Sequence, residues 1–546
     1  MPTSLVKVFV ELFLEFCRSD EMSVDLRALL CKVNVVNGCF RTSMDKAIAK
    51  DIYERHSLQN LLEVVSHVSR DTSINRIFNE KYIVILTVLV ENGPDSWIRI
   101  FIDGFNDSTT QSLCINSVRT ISKTANVQAK TEKEQGCFEA ADFTDVGKRV
   151  CLVLNFLQTL LKRVTLCGRG NKELDTWRCL VQIGYFLFGV AVQHAVKDVW
   201  TNSSSETLAN DSIHLLLETF GCPSVSVLLV LDTKHMSPID EDLHYSVPVK
   251  KSIIGKLLLQ WKPNLQRNTW RQNPAVCSSF SWCLQQLKFP YLSDLIELVL
   301  PPCLLFVDDH VAQSKEMGTS CLIHILQNAT GEELRWYGRA DVIYEALKLQ
   351  MFTTEDSVLK MTHEALLLTL KVVVKEDSSL GTTSKYDEIF SLILQAASHE
   401  NKLVLRRIHT HSLHKFIECL GINVVKYMKR LLELVEEYLE VSDAPFEQAR
   451  LNTLKALKSF IKTAWPRIPS HSETILKILV KLIHQLSSTQ TGNSQTVDSQ
   501  LLTLAVECLE LLKGLDEAFI SHSMQQLQEL PFSENVHVVL QQIMAK

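Results

Sequence analysis

Apolar residues recur every three or four positions along most of this chain, and polar residues fill the positions between them. Residues 424–441 show the pattern fully, because their apolar side chains share one face of a helix and charged side chains cover the rest. Two short apolar runs, residues 83–90 and 225–230, would also suit buried strands, but neither is flanked by hairpin turns or an alternating partner. We therefore predict that these two runs are buried helix segments.

A longer periodicity, of 40–50 residues, begins at about residue 290. Each period places an acidic residue at the turn between two helices and a basic residue seven positions later. The pairs are Asp308 with Lys315, Glu400 with Arg407, and Asp443 with Arg450, while a fourth unit has Asp356 followed by His363. A helical hairpin cannot bury its apolar face alone, so successive hairpins stack, and an acid can meet the cation of its own or of the next unit. The pattern resembles HEAT repeats and predicts an all-α fold, an α-solenoid of helical hairpins.

Composition supports this fold class and narrows the function. The 546 residues include only 18 Gly and 14 Pro, which favours helices joined by short turns over many short strands. The net charge of −6 argues against a general nucleic-acid binder. The 15 cysteines contain no CxxC pair, so we expect reduced thiols without a metal or other cofactor. We also expect no membrane association and a cytoplasmic location, with a nuclear pool left open.

Several short clusters suggest chemistry when they are taken alone. His409, His411 and His414 lie close together, but no cysteine or carboxylate completes a zinc ligand set near them. Asp308 and Asp309 precede a histidine, and their place in the repeat favours turn acids that cap a helix and pair with cations. The chain has no GxxxxGK[ST], GxGxxG, GxSxG or HExxH motif. We therefore predict that it is not an enzyme.

Tryptophan and arginine side chains offer a different kind of site. Trp261, Trp270 and Trp282 fall within 22 residues, and Trp465 stands beside Pro466 and Arg467. Core packing is the simpler explanation for each group, and a partner-binding surface is the alternative, since Trp and Arg are enriched at binding hot spots. Arg406 and Arg407 could likewise bind an acidic partner segment or belong to the repeat.

Long segments in this region resemble one family. They include LLLQWKPNL at 257–265, TWRQNPAVCSSFSWCLQQL at 269–287, LVLPPCLLFVDDHVAQSKEMG at 298–318, YGRADVIYEAL at 337–347 and LVLRRIHTHSLHKFIECLGI at 403–422. In this order they are similar to the second Tel-two-interacting protein family (Tti-two), a subunit of the TTT complex. The resemblance implies a non-enzymatic scaffold whose partners are the Tti-one and Tel-two subunits. Through them it implies a role with the heat-shock-ninety chaperone in the maturation of phosphatidylinositol-3-kinase-related kinases.

These patterns yield one set of candidate residues and three regions. The candidates for a partner interface or a structural role are Trp270, Arg271, Asn273, Pro274, Trp282, Asp308, Asp309, Lys315, Arg406, Arg407, Trp465, Pro466 and Arg467. We expect a helical region at 1–145, a helical part of the solenoid with polar loops at 146–256, and a C-terminal array at 257–546. The alternative function is a solenoid adaptor or transport receptor of another pathway.

Overall fold

A computed structural model describes most of the chain and divides it into two compact units. The described residues are 35–36, 39–40, 50, 52–54, 56–70, 76–106, 108–127, 138–168, 173–231, 251–374, 384–488, 495–529, 536–538 and 541. The first unit covers Met1–Pro302 and the second covers Cys303–Lys546. The three regions proposed from the sequence stay predictions, and most of residues 1–50 lies outside the described residues.

The described elements are almost entirely helical. In the first unit the helices are α1 (Leu58–Arg70), α2 (Arg76–Asn92), α3 (Asp95–Asp103), α4 (Ser108–Thr124), α5 (Val146–Gly168), α6 (Glu173–Ala191), α7 (Ser203–Phe220), α8 (Val225–Val230), α9 (Ile253–Trp261) and α10 (Pro274–Gln286). Two antiparallel strands of two residues each, β1 (Val35–Val36) and β2 (Cys39–Phe40), precede them. Short 3-10 helices cover Gly104–Asn106, Ala140–Phe143, Val192–His194, Trp270–Gln272 and Ser293–Leu295.

The next helix, α11 (Ile296–Val307), contains the division between the units. It is followed by α12 (Ala312–Asn328), α13 (Gly331–Arg335), α14 (Arg339–Gln350), α15 (Asp356–Val373), α16 (Lys385–Ser398), α17 (Leu403–Leu420), α18 (Met428–Glu440), α19 (Gln448–Thr463), α20 (Ser472–Ser488), α21 (Gln495–Leu515) and α22 (Glu517–Gln528). The 3-10 helices here are Trp336–Gly338, Gly421–Tyr427 and Ile468–His471.

The predicted fold class, an all-α solenoid of helical hairpins, is confirmed. Residues 83–90 lie inside α2 and residues 225–230 form α8, so both ambiguous runs are helical as predicted. The apolar stripe of residues 424–441 is also confirmed, because Leu431, Val435 and Tyr438 of α18 are all buried.

The first unit is built around α5, a helix of 23 residues with fourteen buried positions. It packs against α2, α6 and α7, and its interior Leu157, Leu160 and Leu161 are completely buried. In the described part of the chain it is the one helix long and apolar enough to cross a membrane, and 67% of its apolar window is buried within the protein. Its apolar surface therefore serves the core of this unit.

The second unit is a stack of helical hairpins in two layers. The first hairpin consists of α11 and α12. In the hairpins that follow, the first helices are α14, α16, α18 and α20, and the second helices are α15, α17, α19 and α21. The second helices pack side by side, beginning with α12 against α15. Gly318 of α12 permits close packing on α11, because a Cβ atom there would lie 2.6 Å from the Val307 nitrogen.

The hairpin stack has two different edges. We call the end that carries the turns within hairpins, residues 308–311, 351–355, 399–402 and 441–447, the turn edge. The opposite end carries the connections between hairpins, residues 329–338, 421–427 and 464–471 among them, and we call it the connection edge. Side-chain contacts confirm this alignment, since Gln350 Nε2 donates to the Val307 carbonyl (2.9 Å) across the turn edge, and Lys385 Nζ meets Asp341 Oδ1 (2.5 Å) across the connection edge.

Candidate protein-binding surface

The turn edge holds a partly buried ion pair between Arg407 and Asp443. Arg407 Nε donates to Asp443 Oδ2 at 2.7 Å, and Arg407 Nη2 donates to the Asp443 carbonyl at 2.8 Å. The Asp443 side chain is fully buried and also accepts the Ala449 backbone N–H at 3.0 Å. Because Arg407 lies near the start of α17 and Asp443 precedes α19, this pair joins the turn ends of two successive hairpins.

The sequence allowed each turn acid to meet the cation of its own hairpin or of the next one, and the structure shows a third arrangement. Asp443 meets the cation of the preceding hairpin, whereas Arg450 lies 3.7 Å from Glu447 Oε2. Lys315 forms no ion pair with Asp308 or with any other described residue. Seven positions correspond to nearly two helical turns, so side chains at this spacing point the same way and meet a neighbouring turn more readily than each other.

Arg406 is also committed to contacts within the protein. Its Nε donates to the Glu400 carbonyl at 2.7 Å, its Nη2 pairs with the Glu437 carboxylate, and its Cζ lies 4.5 Å from the centroid of the Tyr438 ring. Only 7% of the residue is exposed. This arginine therefore contributes to packing between α17 and α18, which leaves little of it for a partner.

Asp309 belongs to the turn edge too, with its side chain buried and its Oδ1 3.1 Å from Nδ1 of exposed His310. Asp308 is exposed and Lys315 is partly exposed. No group of three or more His, Cys, Asp or Glu in the described part of the chain is arranged to hold a metal ion. The geometry supports a structural role for these turn acids.

The candidates around Trp270 lie in the first unit, and only Trp270 among them is fully buried. Trp270 is 2% exposed, and the guanidinium of exposed Arg271 lies 5.3 Å from its ring centroid. Asn273 Nδ2 donates to the Thr269 carbonyl at 2.8 Å, and Pro274 is the first residue of α10. Trp282 is half-buried, with its ring centroid 6.4 Å from that of Phe188. Their surroundings fit core packing better than a binding surface.

Trp465, Pro466 and Arg467 have the opposite character. They follow α19 at the connection edge, and all three are exposed, with 59% of Trp465 accessible to solvent. Loss of a packed tryptophan would ordinarily cost a core several kcal/mol, but an exposed one contributes little to folding. The partner-interface role of these residues stays a prediction, and their exposure leaves them available for it.

The structure adds an aromatic pair that the sequence reasoning missed. Trp336 is 60% exposed and Tyr337 is 90% exposed, at the connection edge before α14. Tyr337 has a φ of 57° and Gly338 a φ of 66°, so two successive residues are left-handed. The Arg339 Cζ lies 5.4 Å from the Tyr337 ring centroid. The signal available in the sequence was Trp-Tyr-Gly-Arg, three hot-spot residue types around a glycine suited to a left-handed turn.

A left-handed tyrosine is costly, since an L-residue in this conformation loses about 1–2 kcal/mol. Strain of this kind is concentrated at functional sites in proteins. Here it presents an almost fully exposed ring to solvent. We call Trp336, Tyr337, Trp465, Pro466 and Arg467 the aromatic edge. They lie in two connections separated by three hairpins, and they are the candidate partner-binding positions of the second unit.

A separate open groove, with a volume of about 690 Å³, lies between α20 and α22. Its apolar lining comes from Leu476, Val480, Phe519 and Leu527. This groove could accommodate a side chain or a helix of another protein.

The histidines of the second unit form part of its interior. His363 Nδ1 is 2.8 Å from the Ser412 Oγ, and the His363 and His409 ring centroids are 5.8 Å apart. Burial, together with the nearby imidazoles of His409 and His411, lowers the pKa of His363 to about 3. Burial likewise lowers the pKa of His409. The pair is therefore neutral at physiological pH and packs α15 against α17.

Cysteine chemistry offers no second site in the described residues. Cys114 and the described cysteines that follow it are free, and all of these but Cys419 are buried. Burial raises the pKa of Cys114 and of Cys508 to about 12, which keeps these thiols protonated and unreactive. These side chains act as small apolar core residues.

Known proteins are similar in sequence to this chain over a region that begins in the first unit and extends into the hairpin stack. The sequence model of the Tti2 family matches residues 259–446. The mouse protein named TELO2-interacting protein 2 is 32% identical over 400 residues, which cover 72% of this chain and 74% of the mouse protein. The human protein of the same name is 35% identical over 326 residues, covering 59% of this chain and 61% of the human protein.

Among solved structures, an importin beta is similar with a TM-score of 0.43 and 12% identity, covering 92% of this chain and 59% of that one. A likeness of this strength has no bearing on function. The identity to the mammalian proteins extends over about three quarters of the mouse sequence. This chain belongs to the Tti2 family.

Proposed function

We propose that this chain is a non-enzymatic scaffold subunit of the TTT complex, with the Tti-one and Tel-two subunits as partners. In this role it supports the heat-shock-ninety chaperone in the maturation and stability of phosphatidylinositol-3-kinase-related kinases of the mTOR, ATM and ATR class. It thereby serves the DNA damage response and nutrient signalling. The observation that carries the proposal is membership of a family whose mammalian members are named for interaction with TELO2.

The second unit suits such a role physically. A stack of hairpins offers a long surface to another helical array, and each hairpin needs only its neighbours for stability. The aromatic edge supplies Trp, Tyr and Arg side chains, the types that dominate binding free energy at protein interfaces. Because these side chains contribute little to the core, they can be optimised for a partner without destabilising the fold.

The first experiment is affinity purification of the tagged full-length chain, followed by mass spectrometry. We expect the Tti-one and Tel-two subunits to be recovered together. Recovery of transport cargo or of a different assembly, without these subunits, would favour the alternative of an adaptor or transport receptor of another pathway.

A second experiment tests the consequence for the kinases. Depletion of the chain should lower the protein level of mTOR-, ATM- and ATR-class kinases while their mRNA levels stay constant. Re-expression of the full-length chain should restore the kinases. Unchanged kinase protein after complete depletion would contradict the maturation role, and fractionation of the same cells would test the proposed cytoplasmic location.

A further inference from the structure

The two helix layers of the second unit differ sharply in charge. The second helices α15, α17 and α19 contain nine Lys or Arg residues and three Asp or Glu residues. The first helices of the same hairpins, α14, α16 and α18, contain five basic and eight acidic residues. The whole chain has a net charge of −6. Three neighbouring helices therefore concentrate positive charge in a protein that is acidic overall.

Only part of that charge serves the fold. Arg406 and Arg407 form the turn-edge contacts described above, and the Arg450 Nη2 donates to the Glu440 carbonyl at 3.1 Å. Lys458 of α19 pairs with Glu507 of α21, with 2.9 Å between Nζ and Oε2. The arginines and this lysine are thus accounted for by contacts within the unit.

Lys360, Lys415 and Lys455 are different. They lie on α15, α17 and α19 respectively, and all three are exposed. Within the described part of the chain, none of them forms a hydrogen bond or an ion pair. Each is close enough to exposed His411 to act on it electrostatically. Burial lowers the pKa of His411 most, and the three lysines lower it further. The three lysines, on helices that pack side by side, therefore lie near one exposed histidine.

We propose that Lys360, Lys415 and Lys455 form a docking face for an acidic segment of a partner protein. The reason is charge complementarity, since three lysines that form no ion pair with any described residue outnumber the exposed Glu364 and Glu418 beside them, and like charges on adjacent helices repel one another until an anion neutralises them. This inference does not depend on the identity of the complex, because it rests on the charges of this unit alone.

The geometry also sets the spacing of the acidic segment. Packed helix axes are about 8–10 Å apart, and a polyproline II segment rises about 3.1 Å per residue with three residues per turn, so every third side chain faces the same way. A segment crossing α15, α17 and α19 would therefore place a carboxylate over each lysine if Asp or Glu recurred at about every third position.

A protein segment fits this face better than a nucleic acid. Glu364 of α15 and Glu418 of α17 are also exposed. Glu364 acts electrostatically on His411, and Glu418 acts on His414. A continuous phosphate backbone would bring charge against these carboxylates, whereas side chains at intervals can avoid them. Binding to nucleic acid is accordingly an outcome that the test must detect.

The test uses the full-length chain and a fluorescent peptide of about twelve residues with Glu at every third position. Fluorescence anisotropy at low salt should show binding, and a peptide with Gln in place of Glu should not bind. The triple variant K360Q/K415Q/K455Q should weaken binding by about tenfold or more, with the difference fading at high salt. The matched control K288Q/K429Q/K477Q removes three exposed lysines elsewhere and should bind as the parent does.

A charge-reversed variant checks the same face independently. K360E/K415E/K455E should bind the corresponding Lys peptide and lose the Glu peptide, and thermal unfolding would confirm that it is folded. The proposal would be overturned if K360Q/K415Q/K455Q and the control K288Q/K429Q/K477Q lost equal affinity for the Glu peptide, or if the parent chain failed to bind that peptide. So would tighter binding of a single-stranded oligonucleotide that depends on the same three lysines.

Discussion

The two edges of the second unit solve different problems with the same helical hairpins. At the turn edge, a buried carboxylate joins one hairpin to the next, as Asp443 does with the partly exposed Arg407 at 2.7 Å. Aromatic side chains are exposed at both edges, Phe352 and Phe446 among them at the turn edge, but at the connection edge Tyr337 is held outward by a left-handed backbone. The comparison teaches that conspicuous charges in a repeat can be structural while exposed aromatic residues between repeats are free to bind.

The largest expected effect tests the turn edge. Arg407→Met would leave the buried Asp443 carboxylate without its cation, so we expect a loss of about 3 kcal/mol in the free energy of unfolding. Urea unfolding, followed by circular dichroism, measures it. Lys385→Met is the control, because it breaks the more exposed pair with Asp341 and should cost less than about 1 kcal/mol.

The double variant R407M/D443N sharpens this result. Removing the buried charge as well should make the protein more stable than R407M alone, since a neutral amide is cheaper to bury than an unpaired carboxylate. Equal stability of R407M and K385M would show that burial of the pair is unimportant.

Lowering the pH tests how the buried, neutral His363 contributes to stability, separately from the ion pairs. An unfolded chain protonates His363 below its ordinary pKa of about 6.5, whereas the folded chain resists protonation until about pH 3. The unfolded state therefore binds more protons in this window, and stability falls as pH falls. At pH 4.5 the loss from His363 is roughly 3 kcal/mol.

Hydrogen exchange of α15 and α17, corrected for the intrinsic effect of pH, measures this loss. His363→Gln should reduce the pH dependence while preserving a polar partner for Ser412. An unchanged dependence in this variant would assign the acid sensitivity to other groups.

At the connection edge we expect an effect on binding rather than on folding. Trp465→Ala should change stability by no more than about 0.5 kcal/mol, because its side chain is 59% exposed. If the aromatic edge binds the Tti-one subunit, the affinity should fall by about 2 kcal/mol, or roughly thirtyfold. Calorimetry or a quantitative pull-down measures it, and Ile100→Ala, an exposed apolar residue of the first unit, is the control. If W465A is destabilised but binds with full affinity, Trp465 serves folding and not partner binding.

The smallest expected effect isolates the strain at Tyr337. Tyr337→Gly should raise the free energy of unfolding by about 0.5 kcal/mol, because glycine adopts a positive φ without the penalty of a side chain. Tyr337→Ala removes the ring but keeps the strain, so it should be no more stable than the parent. Both variants should weaken partner binding equally if the ring is what the partner contacts.

Local pattern was enough to predict much of the fold. The apolar spacing of residues 424–441 predicts the buried face of α18, since helical periodicity directly determines which side chains share a face. The 40–50-residue period likewise predicted stacked hairpins. The sequence patterns did not predict the Trp336 and Tyr337 part of the aromatic edge, because the exposure of these two residues depends on how the chain turns between α13 and α14.

The sequence by itself determined the helical class, the hairpin period and the presence of charged residues at the turns. Tertiary structure alone decided that Arg407 pairs with Asp443 of the next hairpin, that Trp270 is interior, and that Trp465 is exposed. Periodicity records which face of a helix is apolar, whereas partners and exposure depend on what packs against each helix end. That information exists only once successive hairpins, separated along the chain by whole helices, pack side by side.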